Sequence, residues 1–129
     1  MMFRLSAFIR TDGNSIIGYG HTMRMIALAE IISPDFDICF LVKDTSEWIK
    51  SALSSTYSVL QLPDKISADQ EIEHISNLSE KADLIILDGY SFNSEFQASI
   101  RQRTNLPLVS IDDYQPSVTK LILWLIMQD

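Results

Sequence analysis

An α/β fold on a parallel β-sheet is predicted by three features of this 129-residue chain. Short apolar runs alternate with stretches of helical periodicity, the sequence form of strands and helices wound around a parallel sheet. Hydrophobic residues make up 47% of the chain, enough to build a core at the length of one ordinary domain. No internal repeat, Pro/Ser linker or low-complexity tract interrupts the alternation, so residues 1–129 are taken as a single domain.

In chain order, the apolar runs predict strands near residues 3–9, 37–42, 57–61, 84–88 and 107–111, and helices fit near 21–32, 46–54, 68–82 and 93–103. The first helix carries Met23, Met25, Ile26, Ala27, Leu28, Ala29, Ile31 and Ile32. That leaves little polar surface and predicts burial on more than one side, part of it against another domain. The second strand contains Cys39, the one cysteine, which can form no internal disulfide and is expected as a small buried hydrophobe in a reducing compartment. Asp44, ahead of Thr45 and Ser46, is the expected N-cap of the second helix. The third helix has the clearest signal: Ile72, Ile75, Leu78 and Ala82 recur at helical spacing behind the capping box that Ser67 opens and Gln70 closes. Its opposite face carries Glu71, Glu73 and Lys81, and His74 is expected there as a solvated surface histidine.

The net charge of −7 argues against a nucleic acid or an anionic membrane as partner, because both need clustered Lys and Arg, and no basic run here exceeds a pair. The start has only a short apolar run and no small-residue cleavage site, so a cytoplasmic protein is expected. The apolar tail, residues 118–129, is too short to cross a bilayer as a helix, for which about 20 residues are needed. It reads either as a sixth strand or as an altered terminus. Exposure of Trp124 and its neighbours would favour a homo-oligomer.

The chemistry concentrates in Ile9-Arg10-Thr11-Asp12-Gly13-Asn14-Ser15-Ile16-Ile17-Gly18-Tyr19-Gly20-His21-Thr22-Met23-Arg24, a polar loop between the first strand and the first helix. Gly13, Gly18 and Gly20 let the backbone turn back and approach a ligand. The helix N-terminus attracts phosphate or a developing oxyanion, and its field favours a neutral His21, which can then act as a general base. The glycines match neither the dinucleotide fingerprint, since Met23 stands where a third glycine would fall, nor a P-loop. In an open parallel sheet ligands bind beyond the carboxyl ends of the strands where strand order reverses. For a Rossmann-like order that point lies between strands one and four, where Asp12, Gly13 and His21 would meet Asp88-Gly89-Tyr90. Asp12 either fixes its own turn or orients His21 and holds substrate hydroxyls. Tyr90 either packs over the sheet edge or binds a sugar hydroxyl. Arg24 is expected in an ion pair, on the side of Glu30 or with a carboxylate below. Asp112-Asp113 caps or solvates its strand end or serves the site. No metal site is expected, because the two histidines are remote from one another and the lone cysteine is buried.

The wording Arg10-x-Asp12-Gly13 followed by Ile17-Gly18-x-Gly20-His21-x-x-Arg24 resembles the UDP-sugar hydrolase family of pseudaminic acid biosynthesis. Leu84-Ile85-Ile86-Leu87-Asp88-Gly89-Tyr90 is similar to that family's strand ending in Asp-His-Tyr, and Val109-Ser110-Ile111-Asp112-Asp113 to its strand ending in Asp-Asp. Gly89 departs from the family's usual histidine, and the tail is unlike the family's. The resemblance implies the N-terminal half of a glycosyltransferase-B-like architecture, which binds the sugar while a second, nucleotide-binding domain, absent from this sequence, grips UDP. It further implies a cofactor-free, metal-independent hydrolysis of a UDP-linked 2,4-diacetamido-2,4,6-trideoxyhexose, with His21 as base. Asp12, Gly13, Gly18, Gly20, Asp88 and Tyr90 would be substrate-binding. The expected partners are the UDP-linked amino sugar and either a second copy or a separate nucleotide-binding domain. Two other classes stay open: a non-catalytic binding or interaction module, and the acceptor half of a sugar-nucleotide glycosyltransferase.

Overall fold

The computed structural model describes residues 4–111. The expected start of the first strand at Phe3, the Asp112-Asp113 pair and the 118–129 run lie outside the described residues. Five strands form one all-parallel sheet: β1 (Leu5–Thr11), β2 (Phe36–Val42), β3 (Ser58–Gln61), β4 (Leu84–Asp88) and β5 (Leu108–Ile111). Four helices alternate with them: α1 (Gly20–Ile32), α2 (Glu47–Ser54), α3 (Ala68–Leu78) and α4 (Ser94–Thr104). The spatial order is β3-β2-β1-β4-β5, so the α/β, Rossmann-like arrangement expected from the sequence is the one found. The chain reverses direction across the sheet between β1 and β4, whose register pairs Thr11 with Asp88 at their carboxyl ends.

Side chains alternate across β1 and divide the core in two. Ala7 and Ile9 point into one cluster with Phe40 and Val42, packed under Met25, Leu28, Ala29 and Ile32 of α1 and Ile49 and Leu53 of α2. Phe8, Leu41, Ile85 and Leu87 face the other way, against Ile72 and Ile75 of α3 and Phe96 and Ile100 of α4. Each fully buried Ile, Leu or Phe among them contributes about 1.5–3 kcal/mol of transfer free energy.

Helix ends follow local chemistry, with some corrections. The capping box at α3 is present in full: Ser67 accepts from the Gln70 N–H and the Gln70 side chain accepts from the Ser67 N–H. The same helix stops at Leu78 rather than running to residue 82, and passes into a 3-10 turn (Ser79–Lys81). There the Ser79 hydroxyl donates to the Ser76 carbonyl, a local bond that competes with helix propagation. The N-cap of α2 is Ser46 and not Asp44, which is exposed with its backbone carbonyl accepting from Asn14 Nδ2. Asn93 caps α4 by accepting from the Phe96 N–H, and Asn105 ends it in the left-handed region at φ 57°.

Helix α1 is buried along one stripe among the described residues. His21, Thr22, Met25, Leu28, Ala29 and Ile32 form one buried stripe, while Met23, Ala27 and Ile31 are exposed. Among the described residues the helix is therefore covered by the sheet on one side only, and its apolar outer face is left to solvent. Cys39 is half-buried and not fully buried, because it sits on β2 at the margin of the α3/α4 cluster.

Candidate functional site

The β1–α1 loop is held at its start by the neighbouring β2–α2 loop. Asp12 Oδ1 accepts from the backbone N–H of Lys43 at 2.7 Å and of Asp44 at 3.0 Å, and from Thr45 Oγ1 at 2.7 Å. Its other oxygen accepts from Arg10 Nη1 at 2.9 Å. Both oxygens are thus engaged within the protein. Gly13 is bound into the same brace, with its carbonyl accepting from the Ser46 N–H at 2.9 Å. A Cβ at this position would fall 2.6 Å from Thr22 Oγ1, so the close approach of loop and helix requires glycine. Further along, Asn14 and Gly18 exchange backbone hydrogen bonds, and Asn14 Oδ1 accepts from the N–H groups of Ile16 and Ile17. Gly18 closes this small loop with φ +86°, a conformation L residues rarely adopt. Nothing lies near a Cβ built on Gly20, which opens α1.

At the other side of the crevice β4 ends in Asp88, fully buried on the face of the sheet that α1 covers. His21 Nδ1 lies 2.7 Å from Asp88 Oδ1. Arg24, one turn further along α1, donates from Nε to Oδ2 at 2.6 Å and from Nη2 to Oδ1 at 2.7 Å. His21 itself is 8% exposed. The switch point expected between strands one and four is thus where three ionisable side chains meet, two from α1 and one from β4.

The cluster opens on a cavity of about 160 Å³ lined by Asp12, Ile17, His21, Asp88, Gly89, Tyr90, Ser91 and Phe92. Tyr90 packs edge-on against the His21 ring with centroids 4.6 Å apart, yet remains 77% exposed, so one edge of the phenol serves the site and the rest faces solvent. A Cβ on Gly89 would fall 2.9 Å from the Phe92 ring. Glycine therefore lets Phe92 fold under the strand end and form an apolar wall. Ile16 at the loop tip, 92% exposed, with Ile17, Met23 and Trp48, adds exposed apolar surface on the loops and helix starts of this edge. A neighbouring depression, about 470 Å³ between Asn14, Lys43, Asp44, Lys50, Gln61 and Asp64, is polar and lacks the histidine cluster.

A second charged cluster occupies the opposite face of the sheet. Arg10, next to last in β1 and 1% exposed, donates from Nε and Nη2 to Glu71 at 2.9 and 3.2 Å. Lys43 Nζ also reaches Glu71, at 3.1 Å, and the Arg10 guanidinium lies 5.1 Å from the centre of the Phe92 ring. Burial works against the charge on Arg10, but hydrogen bonds and charges from Glu71 and Asp12 outweigh it and hold the guanidinium above its ordinary value. Glu71 therefore corrects the sequence reading. It is 2% exposed and not on a solvated face, because a strand arginine beneath α3 needs a carboxylate. The sequence reading ends the strand at residue 9 and puts Arg10 in the loop, whereas β1 runs on to Thr11 and carries Arg10 beneath α3.

Of the residues singled out from the sequence, Asp12, His21, Asp88 and Tyr90 line the cavity, whereas Gly13, Gly18 and Gly20 shape the loop behind it. Sequence reasoning missed Phe92, Ser91 and Ile17 as lining residues, since isolated apolar or hydroxyl side chains in loops carry no distinct signal. Arg24 makes the ion pair expected of it, with the carboxylate of Asp88. His74 is exposed, as expected. Among the described residues no three His, Cys, Asp or Glu side chains group closely enough to hold a metal ion, and no helix is long and apolar enough to cross a membrane. No model of a known protein family matches the chain, and no curated protein matches it significantly.

Proposed function

We propose that this chain is the sugar-binding half of a UDP-sugar hydrolase, acting on a UDP-linked 2,4-diacetamido-2,4,6-trideoxyhexose with His21 as general base. The observation that carries the reading is the 2.7 Å contact between His21 Nδ1 and the buried Asp88, at the mouth of a partly apolar cavity. With Nδ1 engaged, Nε2 is the ring nitrogen left to take a proton. In the reaction a water oxygen attacks the anomeric carbon and gives its proton to Nε2. The bond from that carbon to the β-phosphate oxygen breaks, and its electron pair leaves with UDP. Ile17, Phe92 and the exposed Tyr90 suit a deoxygenated, N-acetylated sugar, whose methyl groups pack on apolar and aromatic faces. A separate nucleotide-binding domain would hold UDP and supply most of the stabilisation of the leaving diphosphate.

The test follows UDP release from that sugar nucleotide by the chain, alone and with candidate nucleotide-binding partners. The expected result is release that needs no acceptor, yields free sugar and disappears in His21→Ala. Release only in the presence of an acceptor alcohol would replace hydrolysis by glycosyl transfer. Absence of release under both conditions, with no perturbation of His21 by the sugar, would leave a binding or interaction module.

A further inference from the structure

We propose that Arg24 is the positioning residue of this site: its guanidinium clamps both oxygens of Asp88, and so holds His21 as the Nδ1–H tautomer with Nε2 unprotonated. The inference rests on reading His21 as the base. An arginine only donates hydrogen bonds. Its Nε and Nη2 occupy one oxygen of Asp88 each, at 2.6 and 2.7 Å, the parallel two-point geometry that fixes a carboxylate's plane as well as its place. With both oxygens serving as acceptors, the contact from Oδ1 to His21 Nδ1 at 2.7 Å is completed by a proton on the ring nitrogen. Arg24 Nη2 stands 3.4 Å from the same Nδ1 and competes poorly as its donor, because Oδ1 is closer.

The placement explains the spacing of the motif. His21 and Arg24 are three residues apart and so share one face of α1, where both reach a single carboxylate on β4. Asp88 is wholly buried while the Arg24 side chain is about one-third exposed, so the arginine closes the solvent side of the carboxylate. A neutral histidine free in water favours the opposite tautomer, with the proton on Nε2. The clamp thus holds the ring in the form that a general base requires, against its own preference. In Arg24→Met the carboxylate keeps its burial and loses its two fixed donors, and it becomes free to turn away from the ring.

The experiment is nitrogen NMR of the full chain with labelled histidine rings, using exposed His74 as the internal reference for an unrestrained ring. In the wild type, His21 is expected to show a protonated Nδ1 and an unprotonated Nε2, unlike His74. Arg24→Met is expected to move both His21 nitrogens toward the averaged positions of His74, and to lower kcat with KM little changed. Arg24→Lys, which offers one contact point in place of two, is expected to fall between them. A folded Arg24→Met with the wild-type nitrogen pattern overturns the proposal. If Arg24→Met loses its dispersed core amide signals, Arg24→Lys decides, and a wild-type pattern there overturns it equally. Should the wild type release no UDP while the tautomer still follows residue 24, the hydrolase reading falls and the positioning role stands.

Discussion

Two arginine–carboxylate clusters lie near the carboxyl ends of the central strands, on opposite faces of the sheet, and they differ in where their bonds end. On the α3 side Arg10, Glu71, Asp12 and Lys43 satisfy one another, and the guanidinium is shut beneath Phe92. On the α1 side Arg24 and His21 share Asp88, and His21 lines the cavity. The same chemistry makes a closed brace in one place and, in the function proposed above, a poised base in the other. Burial alone does not tell them apart, since Asp88 and Glu71 are equally inaccessible. What separates them, on that proposal, is whether every donor and acceptor is answered within the protein or one is kept for the substrate.

The sharpest way to break the comparison is Asp88→Asn. The amide can present an N–H to Nδ1 and so favours the wrong tautomer, and UDP release should fall by about four orders of magnitude, the scale seen for an orienting aspartate in a catalytic triad. A fall of tenfold or less, measured on folded protein, would put the cluster on the α1 side among braces as well.

The closed cluster should respond in stability rather than chemistry. Glu71→Ala strands the buried Arg10 charge and is expected to cost about 3–5 kcal/mol in urea unfolding, whereas Arg10→Met with Glu71→Leu together should recover most of that loss. Turnover per folded molecule should remain near wild type. Next in size comes Gly13→Ala, whose Cβ would fall 2.6 Å from Thr22 Oγ1, with an expected loss of about 1–3 kcal/mol from overpacking. Tyr90→Ala should leave stability within about 0.5 kcal/mol, as an exposed side chain does. It should raise KM roughly fivefold if the phenol contacts sugar, a contact worth about 1 kcal/mol.

The smallest effect concerns Cys39. Burial pushes its thiol up from the ordinary 9.0, so the folded chain resists forming the thiolate. The stability this group contributes is complete below 9.0 and is lost as pH rises above it, since the unfolded chain ionises first. Alkylation by iodoacetamide just below that pH should accordingly be slower in native than in urea-unfolded protein. Equal rates would place the thiol in solvent.

Period and punctuation in the sequence were sufficient for the α/β class, the five strands, the four helices and the α3 capping box, because these depend on contacts within a few residues. The meeting of the β1 and β4 loops was legible too, since a chain that returns across a parallel sheet puts one crevice at its reversal. The sequence likewise marked His21 and Asp88, through their positions at a helix start and a strand end. Tertiary structure alone decided what each polar side chain bonds to. Helical spacing puts Glu71 on the polar face of α3, yet it is buried because Arg10 lies beneath it. Asp12 fits two roles by its place in the loop, and packing gives one of its oxygens to the β2–α2 loop and the other to Arg10. Arg24 required a carboxylate whose identity lay 64 residues away. Helix and strand signals are local in sequence, whereas the answering of buried charges is a property of the packed molecule, where residues distant along the chain must neutralise one another out of reach of water.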